Sequence, residues 1–256
     1  MPSRPEITLT REELERAEIP LNHVLIKITR RVEGLRTNAG VTIGFNTDTV
    51  YAEGDDSHSA NLAENIGYVA KVPSTLYFNP EDTAKSMDWE TDMELCENDM
   101  VWFSLIESKN SCQLICEGEL YKSVPYSDCY CYKREVYVNK WTDPPTKKTV
   151  KGMLNGFVLC EPVYFAKQSH LDAFSDTQIN KSRGIIAFIG DAPKTYIRPE
   201  YGHIEDLRVG DEVLFDKKTP LFYLERLSQT GLWNNGKQYW VVPRRRISMI
   251  LNRKEI

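Results

Sequence analysis

The chain repeats itself, and a repeat restricts a fold more tightly than composition does, because one packing solution has to serve two stretches of sequence. Pro20-Leu21-Asn22-His23-Val24-Leu25-Ile26-Lys27 returns in outline 133 positions later as Met153-Leu154-Asn155-Gly156-Phe157-Val158-Leu159-Cys160. Ile66-Gly67-Tyr68-Val69-Ala70-Lys71-Val72 parallels Arg183-Gly184-Ile185-Ile186-Ala187-Phe188-Ile189, each a glycine entering a run of β-branched and aromatic residues. Glu94-Leu95-Cys96-Glu97-Asn98-Asp99-Met100-Val101-Trp102-Phe103 matches Asp206-Leu207-Arg208-Val209-Gly210-Asp211-Glu212-Val213-Leu214-Phe215, with an acid, a Leu, an Asp, a Val and a Phe in register. Tyr121-Lys122-Ser123-Val124-Pro125 matches Tyr239-Trp240-Val241-Val242-Pro243. Four markers in one order imply a tandem duplication of a unit of about 100–115 residues, an ordinary domain size.

Every marker is a strand or a strand-flanking turn. Asn98-Asp99 and Gly210-Asp211 are turn dipeptides that feed apolar strands. Only Arg11–Ala17, with Thr10 as N-cap and Glu13 three residues on, reads as a helix. The expectation is an all-β protein of two tandem small β-barrels with a short N-terminal helix. It comprises an extension over 1–18, a first barrel over 19–138, a polar linker carrying Pro144-Pro145 over 139–150 and a second barrel over 151–256.

Charge is divided unequally between the halves. Residues 1–134 hold 13 basic and 23 acidic side chains, a net −10, whereas residues 135–256 hold 19 and 14, a net +5. An acidic half joined to a basic one suits modules with different faces, or self-association of unlike faces. It does not suit nucleic-acid binding, which concentrates basic residues on one surface. The one basic run, Arg244-Arg245-Arg246, reads as a solvated turn in preference to a phosphate contact. No stretch approaches the 18 or so apolar residues of a membrane helix, and Met1-Pro-Ser-Arg-Pro-Glu6 has no apolar signal-type run, so a soluble, cytoplasmic protein is expected.

Catalytic and metal patterns are missing from the sequence. The six cysteines, at 96, 112, 116, 129, 131 and 160, lack the paired C-x2-C spacing of zinc sites, and thiols are expected, with a disulfide between the pairs as the alternative. His23, His58, His170 and His203 are scattered; no nucleophile elbow, Walker loop or dinucleotide-binding glycine motif is present. Glu53-x-Asp55-Asp56 and Asp88-x-Glu90-x-Asp92 lack the ligand alternation of a calcium loop and read as solvated faces. No enzyme activity, cofactor or metal is expected.

The order of the markers resembles the small barrel of the GroES-like co-chaperonin family. Arg183-Gly184-Ile185-Ile186-Ala187-Phe188-Ile189-Gly190 and Val209-Gly210-Asp211-Glu212-Val213-Leu214-Phe215 stand closest to its most recognisable strings. The resemblance covers about 19–133 and 151–252, and it implies two GroES-like barrels in a divergent tandem form, of the plastid or phage type. In that family a long mobile loop between the first strand and the glycine strand docks on a GroEL-like chaperonin through an apolar triplet after a glycine. Arg31 to Asn65 is the corresponding stretch, and Gly40, Val41, Thr42, Ile43 and Gly44 occupy the triplet's place. Thr42 departs from a purely aliphatic triplet, and an ordinary edge strand with Gly44 as a bulge is the alternative reading. The second unit's loop, 165–178, has no glycine-led triplet.

The resemblance also implies a homo-oligomeric ring. The apolar edges Val24–Ile28 and Ile247–Leu251 are candidates for subunit pairing, with Cys129–Tyr132 closing the first unit. The function implied is that of a non-catalytic lid that encloses folding clients on a chaperonin, in the host cytoplasm if phage-encoded. A structural or assembly protein, such as a viral particle component using the barrels as interaction modules, is the alternative from a different class.

Overall fold

The computed structural model describes residues 7–28, 35–36, 42–43, 66–104, 112–139, 141, 146–166, 177–197, 207–215 and 239–253. In chain order the elements are β1 Ile7–Leu9, α1 Arg11–Arg16, β2 His23–Ile28, β3 Leu35–Arg36, β4 Thr42–Ile43, β5 Ile66–Lys71, β6 Trp89–Glu90, β7 Met100–Phe103, β8 Cys112–Cys116, β9 Glu119–Pro125 and β10 Cys129–Asn139. There follow β11 Thr146–Met153, β12 Val158–Ala166, β13 Thr177–Ile189, β14 Thr195–Tyr196, β15 Glu212–Phe215, β16 Trp240–Val242 and β17 Ile247–Asn252. Among the described residues the fold is all-β apart from α1 and short 3-10 turns at Tyr126–Asp128 and Arg244–Arg246. No described helix is long and apolar enough to cross a membrane.

The helix forms for the reason its sequence suggests. The Thr10 hydroxyl accepts from the Glu13 amide, and the Glu13 carboxylate accepts from the Thr10 amide, closing a capping box. Ala17 ends it, and Lys71 Nζ donates to the Glu15 and Ala17 carbonyls at 2.7 and 2.8 Å, satisfying orphan groups at the C-terminus.

Two compact units are present, and the larger sheet of the first runs β1-β8-β9-β2-β5-β7-β10-β11. The second unit's sheet runs β16-β12-β13-β15-β17. Its five strands take the order β9-β2-β5-β7-β10 takes in the first, and all four pairings are antiparallel in each. The registers coincide except at one end, where a shift between Glu212 and Val213 beside β17 has no counterpart between Met100 and Val101 beside β10. Ile28 faces Gly67 as Pro162 faces Gly184, and Gly67 faces Val101 as Gly184 faces Val213. Other irregularities recur, after Leu25 in β2 and after Leu159 in β12. The strand order is open at both ends among the described residues.

The match corrects one detail of the sequence alignment. Val24 pairs with Val124 as Val158 pairs with Val242, which places Asn22 opposite Gly156, one position away from aligning the Leu-Asn dipeptides. Both Asn22 (φ +64°) and Gly156 (φ +64°) are left-handed, and the turns close alike, Pro20 O to His23 N and Leu154 O to Phe157 N. The turn's backbone geometry, not the identity of its leucine, is what repeats.

Each unit has its own core. Val24, Ile26, Val69, Val101, Phe103, Val124 and Cys131 are buried in the first; Val158, Cys160, Ile186, Val213, Phe215, Trp240 and Ile247 form one cluster in the second. The unit boundaries depart from a simple cut in the chain. Residues 1–76 and 92–150 form the first unit, whereas 77–91 belong with 151–256. Thr146–Val150, expected to be linker, opens strand β11 beside β10. Pro144-Pro145 punctuates the stretch, but the following Thr-Lys-Lys-Thr-Val alternation has strand propensity once β10 offers an edge.

Candidate functional site

The connection between β2 and β5 distinguishes the two units. In the second unit β12 and β13 continue past the shared register as one long antiparallel pair, Val163–Ala166 against Thr177–Asn180, so that residues 167–176 connect them. In the first unit β2 is described to Ile28 and β5 from Ile66, and 29–65 is the excursion that joins them. Within it β3 and β4 pair antiparallel, Leu35 facing Ile43 and Arg36 facing Thr42. Thr42 and Ile43 therefore have strand backbone, in a two-stranded pair separate from the main sheet. Gly40, Val41 and Gly44 lie outside the described residues.

The base of the excursion is rigid because two backbones meet there. A Cβ on Gly67 would stand 2.4 Å from the Lys27 carbonyl oxygen and 2.5 Å from an Ile26 methyl. Gly184 has the same role, with a hypothetical Cβ 2.7 Å from that of Cys160. Neither site admits a side chain without displacing its neighbour strand.

Beside β5 lies a cleft of about 450 Å3 lined by Tyr68, Cys96, Met100, Lys133, Arg134 and Glu135, with Asp99 at its wall. The Asp99 carboxylate is buried and takes two bonds from the Arg134 guanidinium, 2.7 Å from Nε and 2.6 Å from Nη2. A third Arg134 bond reaches the Glu94 carbonyl, and the hydrogen-bonded Asp99 holds Arg134 above its ordinary pKa. Asp99 also accepts from the Cys96 amide at 2.7 Å. The second unit repeats this pattern: Asp211 accepts from the Arg208 amide and lies 3.5 Å from Arg253. A duplicated ion pair that ties the turn before β7 or β15 to the strand leaving the sheet serves the fold, and this cleft is not assigned a reaction.

Other sequence features resolve into structure. Cys129 and Cys160 are fully buried thiols whose pKa burial pushes upward, which disfavours the thiolate, and none of Cys96, Cys116, Cys129, Cys131 and Cys160 is in a disulfide. Among the described residues no cluster of three or more metal-ligating side chains occurs. Arg244-Arg245-Arg246 is not a solvated turn. Arg244 is buried, donating to the Gly190 carbonyl at 2.9 Å, while Arg245 pairs with Asp88 and lies over the Trp89 ring at 5.4 Å. Asp88 and Glu90 of the acidic run are consumed there too. Trp89–Glu90 pairs with Thr195–Tyr196, and Thr195 Oγ1 donates to Glu90 Oε2 at 3.0 Å. Glu53, Asp55 and Asp56 lie outside the described residues.

Of the edges expected to pair between subunits, only β17 is terminal in its sheet. β2 lies between β9 and β5, and β10 between β7 and β11. Sequence reasoning missed β11, whose polar alternation has no apolar stripe, and missed that 77–91 would leave its own half. Neither a protein-family model nor a curated protein matches the chain.

Proposed function

We propose that the chain is a co-chaperonin-like lid protein, built of two GroES-like barrels, that docks on a GroEL-like chaperonin through the loop from Arg31 to Asn65 and assists client folding without chemistry of its own. One observation carries the reading. A five-strand order and register occurs twice, and the two copies diverge in length at the β2-to-β5 connection, where residues 29–66 lie between the paired Ile28 and Gly67 and residues 163–183 between the paired Pro162 and Gly184. Duplication followed by divergence at one connection points to that connection as the part with a task. Gly40, Val41, Thr42, Ile43 and Gly44 are the residues assigned to docking. A Val-Thr-Ile run after glycine offers apolar side chains for contact with a partner. The chain is expected to assemble as a homo-oligomer in the cytoplasm, with folding clients as transient partners.

The reading is tested by size-exclusion with mass measurement of the protein mixed with a chaperonin, with and without ATP. Co-migration in the presence of nucleotide, with slowed ATP hydrolysis, is expected. Separate elution and unchanged hydrolysis would overturn it and leave the second reading, an assembly protein that uses the barrels as adhesive modules. That reading is favoured by the open β17 strand, where Met249 and Leu251 are exposed.

A further inference from the structure

β10 is far longer than the strand it packs beside. β7 accompanies it only from Cys129 to Lys133, and beyond that point Arg134–Asn139 runs on with β11 as a two-stranded ribbon. The ribbon buries little. Tyr137 is 51% exposed, Val138 64% and Trp141, just past its end, 95%. Lys147, Lys148 and Lys151 on β11 are exposed, against the one carboxylate Glu135 on β10. Lys147 lies between Glu135 at 3.3 Å and the Tyr137 ring at 5.2 Å, so its ammonium is held on the aromatic face of the ribbon. A solvent-facing indole costs free energy in water and marks an interaction surface when it sits with other apolar groups and a fixed charge.

The opposite end of the same strand order has the opposite charge. β1 is the terminal strand there, followed by α1, and Glu12, Glu13, Glu15, Glu18, Glu117 and Glu119 gather around it against Arg11, Arg16, Lys27 and Lys71. Arg11 and Lys27 are already engaged by Glu15 and Glu119. A sheet with a cationic aromatic strand at one end and an acidic helix at the other is complementary to a second copy of itself.

We infer that the β10–β11 ribbon is a self-association arm, which docks Trp141 and its lysines on the acidic α1 face of a neighbouring copy in a head-to-tail contact. Such a contact is heterologous and propagates from copy to copy. The acidic excess over 1–134 disfavours the other polyanion such a ribbon could meet, a nucleic acid. The inference deepens the homo-oligomer expected above by naming the contact. It is read without any chaperonin, so its failure and that of the lid reading are separate results.

The test is sedimentation velocity of the full chain at low and high salt. The wild type is expected to self-associate and to dissociate as salt rises. Lys148→Glu/Lys151→Glu, and separately Trp141→Ala, should each weaken association about tenfold or more. Both variants should keep the wild-type melting temperature, since these side chains are exposed. A chain carrying Glu12→Lys/Glu18→Lys should fail to associate alone, yet should bind the Lys148→Glu/Lys151→Glu chain, because its intact ribbon meets the other chain's intact α1 face and its reversed α1 face meets the other's reversed ribbon. A wild type that stays monomeric, or reversed chains that do not complement each other, would overturn the inference. So would a Lys148→Glu/Lys151→Glu chain whose one lost property is binding to a mixed-sequence DNA duplex or to phosphatidylserine vesicles.

Discussion

Buried polar side chains recur at matching places in the two units. Asp99 and Asp211 each accept a backbone amide three residues back, and each faces an arginine, Arg134 in β10 and Arg253 one residue past β17. Replacing Asp99 by Asn should cost about 2 kcal/mol, because a charged bidentate pair is lost where the carboxylate is buried. The looser Asp211–Arg253 pair should cost less, and urea midpoints compare the two. Gly184→Ala should cost about 1–3 kcal/mol by overpacking against Cys160, measured in the same way. Tyr126 is one residue through which alkaline pH acts. It is buried, its hydroxyl donates to Glu94 Oε2 at 2.7 Å, and burial first, then the Glu94 charge, raises its pKa above the ordinary 10.0. A raised folded-state pKa stabilises the fold fully below the unfolded value and loses that stability as pH climbs toward the folded one. Stability should therefore fall above about pH 10. Tyr126→Phe should lose about 1–2 kcal/mol at neutral pH and show a shallower decline above pH 10, as denaturation across pH 8–11 would reveal. Gly67, Gly184, Asp99 and Asp211 were visible in the sequence as repeated letters. Their arginines were not, because Arg134 and Arg253 lie outside every marker and reach the aspartates only through strand pairing.

Elements show a sharper division. Strands β2, β5, β7, β9 and their counterparts lie where β-branched and aromatic runs indicated, and α1 where its capping box indicated. The arm at 77–91 could not be placed from its own residues. Trp89 is buried against the second unit, 6.4 Å from the Tyr196 ring and under Arg245, with Lys194 N donating to the Glu90 carbonyl. Trp89→Ala should therefore destabilise the second unit, by about 3 kcal/mol, although Trp89 stands in the first half of the sequence. Hydrogen exchange should quicken in β12, β13 and β14 before β2 and β5. Equal quickening in both units would refute this placement. A two-residue strand with one tryptophan has no period that a sequence can display, and its partner lies over a hundred residues away.

For the molecule as a whole, the duplication is the governing fact, and the excursion in the first copy is where the proposed task resides. Ile43→Asp should abolish chaperonin co-migration while leaving the melting temperature within about 1 °C, since β3 and β4 pair with each other and not with the main sheet. A drop of several degrees would place Ile43 in a core and remove it from docking. By itself the sequence determined the all-β class, the doubled unit and the helix cap, because period-2 runs, turn dipeptides and caps are local and each is written in adjacent residues. Only the tertiary structure decided the open strand order, the loan of 77–91 to the second unit, the ribbon in place of a linker and the burial of Arg244. Those outcomes depend on which distant edge or cation a segment meets, and the free energy of such a meeting belongs to the pair, so neither partner's residues carry it alone.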